Sequence, residues 1–451
     1  MAGAPPALAC GNVRSLIAPV GSEAAGYREG EPMNAVRDYQ RYAQPERTHV
    51  DIYRDPAVFH DEMDRIFYRS WVYVAHESEI PEPGDFKTTY IGEIPVIATR
   101  DQQGKVHVLI NRCMHRGAVV CPMEKGNVQT FMCAYHGWEY GLDGQLTAVA
   151  MPRGYNEGEV DVEAQGLVRA KKVGIYRGII FASLMAEPDI TLEDKLGGVK
   201  EFIDLYMDFS PVGEILVGRS GVYKHTYEGN WKIQVEGSVE GYHAPVTHST
   251  AFDVMVRKMA FPPNYQDLPL HGLDAGYGNN VLEVYKLTDE MVRKRWDPEF
   301  IELLSDAHGH ERAMDVLRTR FNMVIFPNFA ILEYQFRVIR PIRPDLAEVR
   351  IYHTTLKDVP KRVNVRRCRE HEFFYGPSAF GGPDDYAVFD RIQEGFKAGQ
   401  AAPWVYLNRG IGNETTDEQG RRVGGHTQET QQRAPYYEYR RLMAGAAATQ
   451  G

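Results

Sequence analysis

Cysteine is scarce in this sequence, and its scarcity excludes one class of protein. The 451 residues contain five cysteines, an odd number spread along most of the chain. A disulfide-stabilised secreted domain would carry an even and closely spaced set. We therefore expect the thiols to be reduced, as in the cytoplasm, and free to bind metal. They are Cys10, Cys113, Cys121, Cys133 and Cys368.

An excess of positive charge and long apolar runs are also lacking. Lys and Arg number 51 against 61 Asp and Glu, a net charge of −10, which argues against nucleic-acid binding through bulk charge. The longest apolar run, near 179–186, is far shorter than the roughly 18 residues that span a bilayer. No Lys or Arg precedes Arg14, so no secretory signal is expected. We expect a cytoplasmic protein with neither a membrane nor a nucleic-acid partner.

The composition changes along the chain and predicts four segments. Residues 1–35 are rich in Ala, Gly and Pro and predict a mobile arm. In residues 36–71 the apolar side chains between 55 and 68 recur near helical spacing, which predicts a helical segment. Residues 72–186 consist of short strands and turns and predict a compact all-β domain. Residues 187–451 mix helix and strand patterns and predict an α+β domain.

Individual elements can be placed within the two larger segments. A turn at 101–104 joins two strands over 95–99 and 105–110, and Asp143-Gly144 predicts a second hairpin between 138–140 and 145–147. A helix is predicted over 196–206, and a series of strands over 323–356. Four apolar residues in that series are candidates for the wall of a substrate pocket, although ordinary core is the alternative for each. They are Phe326, Phe329, Ile331 and Phe336.

The β segment contains two loops that each offer one thiolate and one imidazole. Cys113 and His115 form the first pair, and Cys133 and His136 form the second. A structural zinc site uses the same ligand types, but it usually groups like with like. Mixed pairs suit a cluster of two unlike irons, one held by thiolates and the other by imidazoles. Glycines follow both histidines closely, where a backbone must pass near sulfide.

These loops resemble the Rieske [2Fe–2S] domain, whose ligand pattern is CxH followed by CxxH. The resemblance implies that Cys113, His115, Cys133 and His136 are the cluster ligands. Met114 departs from the pattern, since relatives often carry Pro at this position. Imidazole ligation raises the reduction potential above that of an all-thiolate cluster.

A second constellation follows the motif Asn-Trp-Lys at 230–232. On a continuous helix Glu236, Glu240 and His243 would share one face. His248 would point away unless Pro245 breaks that helix and lets the chain turn. Taken alone, a histidine pair with carboxylates is more often surface or core polar structure than a metal site.

This segment resembles the catalytic domain of Rieske non-haem iron ring-hydroxylating oxygenases, with an antiparallel sheet of helix-grip type. The resemblance implies that His243 and His248 are iron ligands and, by register, that Asp385 is the third. Two histidines and one carboxylate leave open positions on ferrous iron. The neighbouring Asp384 is expected to cap the helix that starts there. The family's usual Asp, which hydrogen-bonds a catalytic histidine and a Rieske histidine of the adjacent subunit, is replaced here by Glu240.

The resemblance extends over nearly the whole chain and implies the large (α) subunit of a terminal oxygenase. Such a subunit inserts oxygen from O₂ into an aromatic substrate, at the mononuclear Fe(II), with electrons that arrive through the Rieske cluster. Because the chain has no flavin- or nucleotide-binding glycine motif, NADH would act through a separate reductase, with or without a ferredoxin. Similarity to the benzoate, toluate and salicylate group, as in WVYVAHESEIPEPGD, favours an aromatic acid. An α₃ or, with a small β subunit, α₃β₃ assembly is implied.

Three alternatives remain at this point. A Rieske monooxygenase acting on an N-methyl, quaternary amine or O-methyl substrate is suggested by Glu240, although Gly241 and Ala244 stand where cysteines often flank the first histidine of such relatives. A non-catalytic Rieske electron carrier would need no second iron site. A zinc-stabilised binding protein would be colourless, whereas a Rieske protein is brown and bleaches on reduction.

Overall fold

The computed structural model describes residues 38–185, 190–259 and 265–444. The predicted arm at 1–35 and the predicted boundary between 186 and 187 lie outside these residues. None of the described helices combines the length and the apolar character needed to cross a bilayer. The four cysteines in the described residues are all free thiols.

Short helices and strands make up the N-terminal segment. In chain order they are α1 (Tyr39–Tyr42), β1 (Ala43–Gln44), β2 (Arg47–His49), α2 (Asp51–Arg54), α3 (Pro56–Glu62) and a π-helix (Met63–Phe67). The predicted helix over 55–68 is confirmed. It begins where the Asp55 carboxylate accepts a hydrogen bond from the backbone N–H of Ala57 at 2.7 Å, with Pro56 in the first turn, an arrangement that favours helix initiation.

Three small antiparallel sheets form the β segment, with strand orders β11-β12-β3, β6-β5-β4-β7 and β10-β9-β8. Both predicted hairpins are present, as the pairs β5–β6 and β9–β10. The strands are β3 (Val72–His76), β4 (Asp85–Ile91), β5 (Ile94–Arg100), β6 (Val106–Ile110), β7 (Lys125–Asn127), β8 (Thr130–Met132), β9 (Glu139–Gly141), β10 (Leu146–Ala148), β11 (Lys172–Tyr176) and β12 (Ile179–Ser183).

The strands of the α+β segment are β13 (Ile215–Tyr227), β14 (His271–Asp274), β15 (Asn280–Lys286), β16 (Thr319–Ile325), β17 (Phe329–Leu332), β18 (Gln335–Arg343), β19 (Leu346–Leu356), β20 (Trp404–Tyr406), β21 (Thr415–Thr416) and β22 (Arg422–Gly425). All except β20 form one nine-stranded antiparallel sheet, in the order β13-β19-β18-β17-β16-β15-β14-β22-β21. The strands predicted over 323–356 are therefore confirmed. Strand β20 pairs instead with β2 of the N-terminal segment.

Helices flank this sheet. They are α4 (Leu192–Leu196), α5 (Lys200–Met207), α6 (Trp231–Gly237), α7 (Ala244–Thr247), α8 (Ser249–Met259), α9 (Asp289–Arg295), α10 (Pro298–His308), α11 (His310–Arg318), α12 (Lys361–Tyr375), α13 (Gly382–Gly395) and α14 (Thr430–Ala444). The helix predicted over 196–206 is present as the end of α4, a short 3₁₀ turn and α5.

The four pocket-wall candidates belong to the hydrophobic core. All are at most 1% exposed, and the rings of Phe329 and Tyr73 stack with centroids 4.2 Å apart. Because Tyr73 lies on β3, this contact joins the β segment to the large sheet. The alternative of ordinary core therefore holds for these residues.

Helix α6 is held in place by the Asn-Trp-Lys motif that precedes and begins it. The Asn230 side chain caps the helix by accepting from the Lys232 N–H at 3.1 Å. The Lys232 ammonium and the Trp231 indole both donate to the buried carboxylate of Glu62, at 2.6 and 2.8 Å. Tyr439 on α14 donates to the same carboxylate at 3.0 Å. One buried ion pair thus joins α3, α6 and α14.

Candidate metal centres

The first site lies between two loops of the β segment. The loops hold Cys113 and Cys133 almost fully buried. The His115 and His136 rings approach to 4.5 Å between centroids, with 71° between their planes. The four predicted side chains are therefore brought together.

Each loop folds back on itself through backbone hydrogen bonds to its own cysteine. Gly117 and Gly137 donate to the carbonyls of Cys113 and Cys133, at 2.9 and 3.0 Å. Both glycines adopt positive φ, +79° and +66°, which a residue with a side chain rarely adopts. The glycines expected beside the ligands are therefore required by the turns that present those ligands.

Two residues that the sequence did not single out support this site. The Tyr140 hydroxyl lies 3.1 Å from the Cys113 sulfur and accepts from the Met114 N–H at 3.1 Å. The Trp138 indole stacks on His115 at 5.0 Å. Burial raises the pKa of Cys113, but hydrogen bonds from Tyr140 and the backbone outweigh burial and lower it. The loop therefore favours a thiolate, although no spacing in the sequence signals these two contacts.

One unpaired ligand atom and the spacing of the four side chains in the first site fit a two-iron cluster. The Nδ1 atom of His115 is buried and has no hydrogen-bond partner, as expected of a ligand atom. A single zinc ion would draw four ligand atoms into a tight tetrahedron. Within the described ranges, only His243, His248 and Asp385 bring three ligand atoms within 4.8 Å of one another. The wider spacing of the Cys and His set suits a cluster better than one ion.

The second site is built from α13 and the turn around α7. Asp385 Oδ1 lies 3.4 Å from His243 Nε2 and 3.1 Å from His248 Nε2. Asp385 and His248 are 9% and 2% exposed. The edge of the Phe374 ring covers His248, with centroids 5.2 Å apart. The three predicted ligands therefore meet at one point, where Asp385 and His248 are buried and His243 is partly exposed.

Glu240 fixes the orientation of His243. One carboxylate oxygen is 2.5 Å from His243 Nδ1, and the other accepts the His243 backbone N–H at 2.8 Å. Because Nδ1 is held by Glu240, Nε2 faces Asp385. This is the arrangement that a metal-binding imidazole usually requires.

The electrostatics of the site favour positive charge where the ligand atoms meet. Burial lowers the pKa of His243, but hydrogen bonds and charge from Asp385 and Glu240 outweigh burial and raise it to about 10. Burial raises the pKa of Asp385, but the two histidines lower it to about 2. The donor set, two imidazoles and a carboxylate with sides left open, fits ferrous iron.

Three predictions about local structure are wrong. Helix α6 ends at Gly237, and the hydroxyl and N–H of the following Ser238 both donate to the Gln234 carbonyl, at 2.7 and 3.1 Å. The Glu236 carboxylate accepts hydrogen bonds from Tyr53 and Tyr436 and does not face Glu240 or His243 along a common helix. Burial raises the pKa of Glu236 to about 7. Consequently Glu236, Glu240 and His243 do not share a helix face.

Pro245 also acts differently from the prediction, since it stands in the first turn of α7 and does not break a longer helix. The expected cap by Asp384 is absent, because Gly381 is the N-cap of α13 and no side chain caps that helix. Instead, Asp384 Oδ2 lies 3.7 Å from His248 Nδ1. The roles of Pro245 and Asp384 could not be assigned from the sequence, because both depend on the path of the backbone in three dimensions.

Two family models match the chain. The Rieske [2Fe-2S] domain matches residues 70–157, and the ring hydroxylating alpha subunit (catalytic domain) matches residues 216–445. These ranges contain the first and the second site respectively.

Curated relatives align over most of the chain. The anthranilate 1,2-dioxygenase large subunit of Acinetobacter baylyi is 33% identical over 80% of this chain and 79% of its own length. The 2-halobenzoate 1,2-dioxygenase large subunit of Burkholderia cepacia is 34% identical, with 84% and 83% covered. The toluate 1,2-dioxygenase subunit alpha of Pseudomonas putida is 33% identical, with 77% and 79% covered.

Solved structures of related oxygenases have the same fold over most of the chain. A naphthalene 1,2-dioxygenase with indole in its active site superposes with a TM-score of 0.79 at 25% identity, covering 90% of this chain and 95% of that one. The enzyme from Rhodococcus sp. gives 0.77 at 26%, covering 89% and 95%. The chain belongs to the Rieske non-haem iron ring-hydroxylating oxygenases, as an α (large) subunit.

This membership confirms the predicted family, the α+β fold class and the cofactors, a Rieske [2Fe–2S] cluster and a mononuclear iron. It excludes the zinc-stabilised protein and the non-catalytic electron carrier, because neither would contain the catalytic domain. Among the alternatives, the demethylating monooxygenase has a relative here, the N,N-dimethyl phenylurea N-demethylase subunit alpha of a Sphingobium species, at 30% identity.

Proposed function

We propose that the chain hydroxylates the ring of an aromatic acid. The observation that carries this proposal is the convergence of His243, His248 and Asp385 on one point, with their ligand atoms within 4.8 Å. Relatives at 33–34% identity are named for anthranilate, halobenzoate and toluate. The demethylase relative is less similar, at 30%, so an aromatic acid is the favoured substrate class.

We assign the two sets of ligands as follows. Cys113, Cys133, His115 and His136 hold the Rieske cluster, and His243, His248 and Asp385 hold the iron. When bound, the iron supplies a site at which O₂ and substrate meet and react. The division into residues 72–186 and 187–451 stands as part of the same proposal.

The residues around the iron site position its ligands and cover one side of it. Glu240 holds His243 through Nδ1 and so directs Nε2 toward Asp385. Phe374 covers one side of His248, and a dry site strengthens every interaction with a charged group. Asp384 lies 3.7 Å from His248 Nδ1, too far for the hydrogen bond by which Glu240 orients His243.

Glu240 has a second proposed role, as the bridge between subunits. It is only partly buried, so it can be approached by His136 of a neighbouring copy of the chain, which is also partly exposed. Its contact with His243 Nδ1 at 2.5 Å is the hydrogen bond of that bridge that lies within one chain. This role requires an α₃ or α₃β₃ assembly.

The relatives are named as large or alpha subunits, and this supports the following partners. Electrons from NADH reach it through a separate reductase, with or without a ferredoxin, and a small β subunit completes the oxygenase. The enzyme acts in the cytoplasm, where free thiols and a reducing environment suit the cluster.

Single turnover tests the proposed reaction without any partner. The protein, loaded with both kinds of iron and chemically reduced, is mixed with O₂ and one of benzoate, anthranilate, toluate or N,N-dimethylphenylurea. Products are identified by mass spectrometry after labelling with ¹⁸O₂. We expect ¹⁸O in a hydroxylated aromatic acid. Demethylation of the urea, with no acid hydroxylated, would overturn the proposal in favour of a monooxygenase.

A further inference from the structure

Arg337 is a buried cation without a partner. It lies on β18 and is 1% exposed. Its Nε and Nη2 atoms are buried and donate no hydrogen bond, and no carboxylate in the described part of the chain forms an ion pair with it. By contrast, Arg433, equally buried, pairs with Glu414. An arginine is permanently charged, so a buried and unpaired guanidinium is a feature that needs a cause.

Packing against an aromatic ring does not supply that cause. The guanidinium carbon lies 5.6 Å from the centre of the Tyr375 ring. A cation–π contact at this distance is weak relative to the cost of removing a lone cation from water. The position therefore holds a donor that is available to a ligand.

The cation lies on the side of the sheet that carries the iron ligands. Residues alternate along β18, so Arg337 shares its face with Ile339, which packs in the same core as Phe389 of α13. The Tyr375 ring that Arg337 faces packs against Phe374, with centroids 4.8 Å apart, and Phe374 lies against the proposed ligand His248. Burial raises the pKa of Tyr386, the residue after Asp385, to about 12, and the charges of Arg337 and Asp385 act on the same phenol. Arg337 and the iron site therefore border one region.

Other polar atoms in this region are also unsatisfied. The hydroxyl of Tyr386 and the Nε2 atom of His225 are buried and have no partner, and the two rings are 3.9 Å apart. Burial, reinforced by the charge of Arg337, lowers the pKa of His225 to about 4, so this imidazole is neutral at pH 7. A ligand with several acceptor oxygens would satisfy the region, whereas an apolar arene would leave it unpaired.

We propose that Arg337 binds the carboxylate of the aromatic acid and holds the ring toward the iron, with Tyr386 and His225 beside it. This inference rests on the proposed function, which supplies the aromatic acid. It makes Arg337 the residue that selects benzoate-like anions over neutral arenes of the same size, because a planar guanidinium matches a carboxylate with two parallel hydrogen bonds.

The test compares benzoate with its neutral isostere benzamide. Dissociation constants are measured from the change that each compound causes in the ferrous–nitrosyl EPR signal of the reduced, iron-loaded protein. We expect Arg337→Met to weaken benzoate binding roughly 100-fold and to leave benzamide within about threefold. Arg337→Lys keeps the charge but loses the forked guanidinium, so its affinity for benzoate should lie between those of the unaltered protein and Arg337→Met.

Arg340→Lys is the matched control, since Arg340 lies on the same strand but pairs with Glu348 and packs over Tyr90. It should bind both compounds as the unaltered chain does. Thermal unfolding adds an independent readout, because removing an unpaired buried charge should not lower the melting temperature, whereas removing a structural arginine should.

The outcomes separate the two proposals. If the unaltered protein binds benzoate and Arg337→Met binds it equally well, or loses both compounds alike, the assignment of Arg337 is wrong and the proposed function stands. If the unaltered, iron-loaded protein neither binds nor hydroxylates any aromatic acid, the substrate class is wrong and the assignment fails with it.

Discussion

Tyr140 connects the two cluster-binding loops through a single hydroxyl. It follows the second loop along β9, and its hydroxyl contacts the sulfur of Cys113 and the N–H of Met114 in the first. Because the N–H already donates to the phenol oxygen, the phenol proton is free to point at the sulfur. A hydrogen bond to a ligand sulfur stabilises the more negative, reduced cluster.

Replacing Tyr140 by Phe should therefore lower the reduction potential of the cluster. If the lost hydrogen bond favours the reduced state by ~1.4 kcal/mol, the potential falls by about 60 mV for one electron. A redox titration monitored by circular dichroism measures the reduction potential. An unchanged potential, with the cluster fully loaded, would show that Tyr140 acts only by packing.

Glu240 can be tested apart from metal binding. Glu240→Gln keeps the size of the side chain and an oxygen that can accept from His243, but it removes the charge of the proposed bridge. We expect both metals to remain bound and the oxidation of the cluster in single turnover to slow by at least about tenfold. Rapid-mixing absorbance follows this step. Oxidation at the original rate would contradict the bridge.

At the scale of elements, the position of α13 depends on a close contact with α6. A Cβ atom on Gly237 would lie 2.7 Å from Phe389, which is one helical turn beyond Asp385 on α13. The absence of a side chain at Gly237 therefore sets the distance at which α13 can approach. The same approach sets the depth of Asp385 in the iron site.

Gly237→Ala should push α13 outward and reduce the mononuclear iron content several-fold, while the Rieske absorbance stays unchanged. Overpacking of this kind costs about 1–3 kcal/mol. Gly395→Ala, at the end of the same helix, is the control, because a Cβ there would meet nothing within 4 Å. Equal iron content in both variants, measured against the cluster absorbance, would argue against this account of the contact.

The strands and hairpins were predictable because their signals are local. Alternating apolar residues and turn residues such as Asp143-Gly144 fix β9 and β10 without any distant contact. The orientation of Glu236 was not predictable, since it depends on two distant tyrosines, Tyr53 and Tyr436, that donate hydrogen bonds to its carboxylate. Arg337 gave no signal in the sequence, because an unpaired arginine can be recognised only from its surroundings.

At the scale of the whole molecule, the two sites share one continuous structure. The core that contains Tyr73 and Phe181 of the β segment also contains Phe329 and Phe336 of the large sheet. A second core joins the N-terminal segment to α6 and α14. Residues 39–67 therefore anchor α6, the helix that precedes the iron-binding turn, through the ion pair of Glu62 with Lys232.

Buried histidines make this structure sensitive to acid. Burial, together with the charges of Arg337 and Arg367, lowers the pKa of His371, on α12, to about 4. Below pH 6.5 the unfolded chain takes up a proton on this residue that the folded chain refuses until about pH 4. Stability is therefore lost as the pH falls through this window, by about 2 kcal/mol at pH 5 for this group.

His371→Gln should remove that share of the pH dependence. We compare the unfolding free energy of the variant with that of the unaltered chain at pH 8 and at pH 5. The difference should be about 2 kcal/mol more favourable to the variant at pH 5 than at pH 8. Urea unfolding at the two pH values measures the shift. His60→Gln, at an exposed position, is the control, and an identical pH dependence in all three proteins would contradict the argument.

The central claim is that His243, His248 and Asp385 form an open ferrous site, and nitric oxide tests it most directly. EPR of the reduced protein with nitric oxide should show both a Rieske signal and a ferrous–nitrosyl signal. In Asp385→Ala, the nitrosyl signal and the mononuclear iron should disappear while the Rieske signal stays at full intensity. A nitrosyl signal of undiminished intensity in Asp385→Ala would contradict the assignment of the third ligand, and its absence from the unaltered, iron-loaded protein would contradict the site itself.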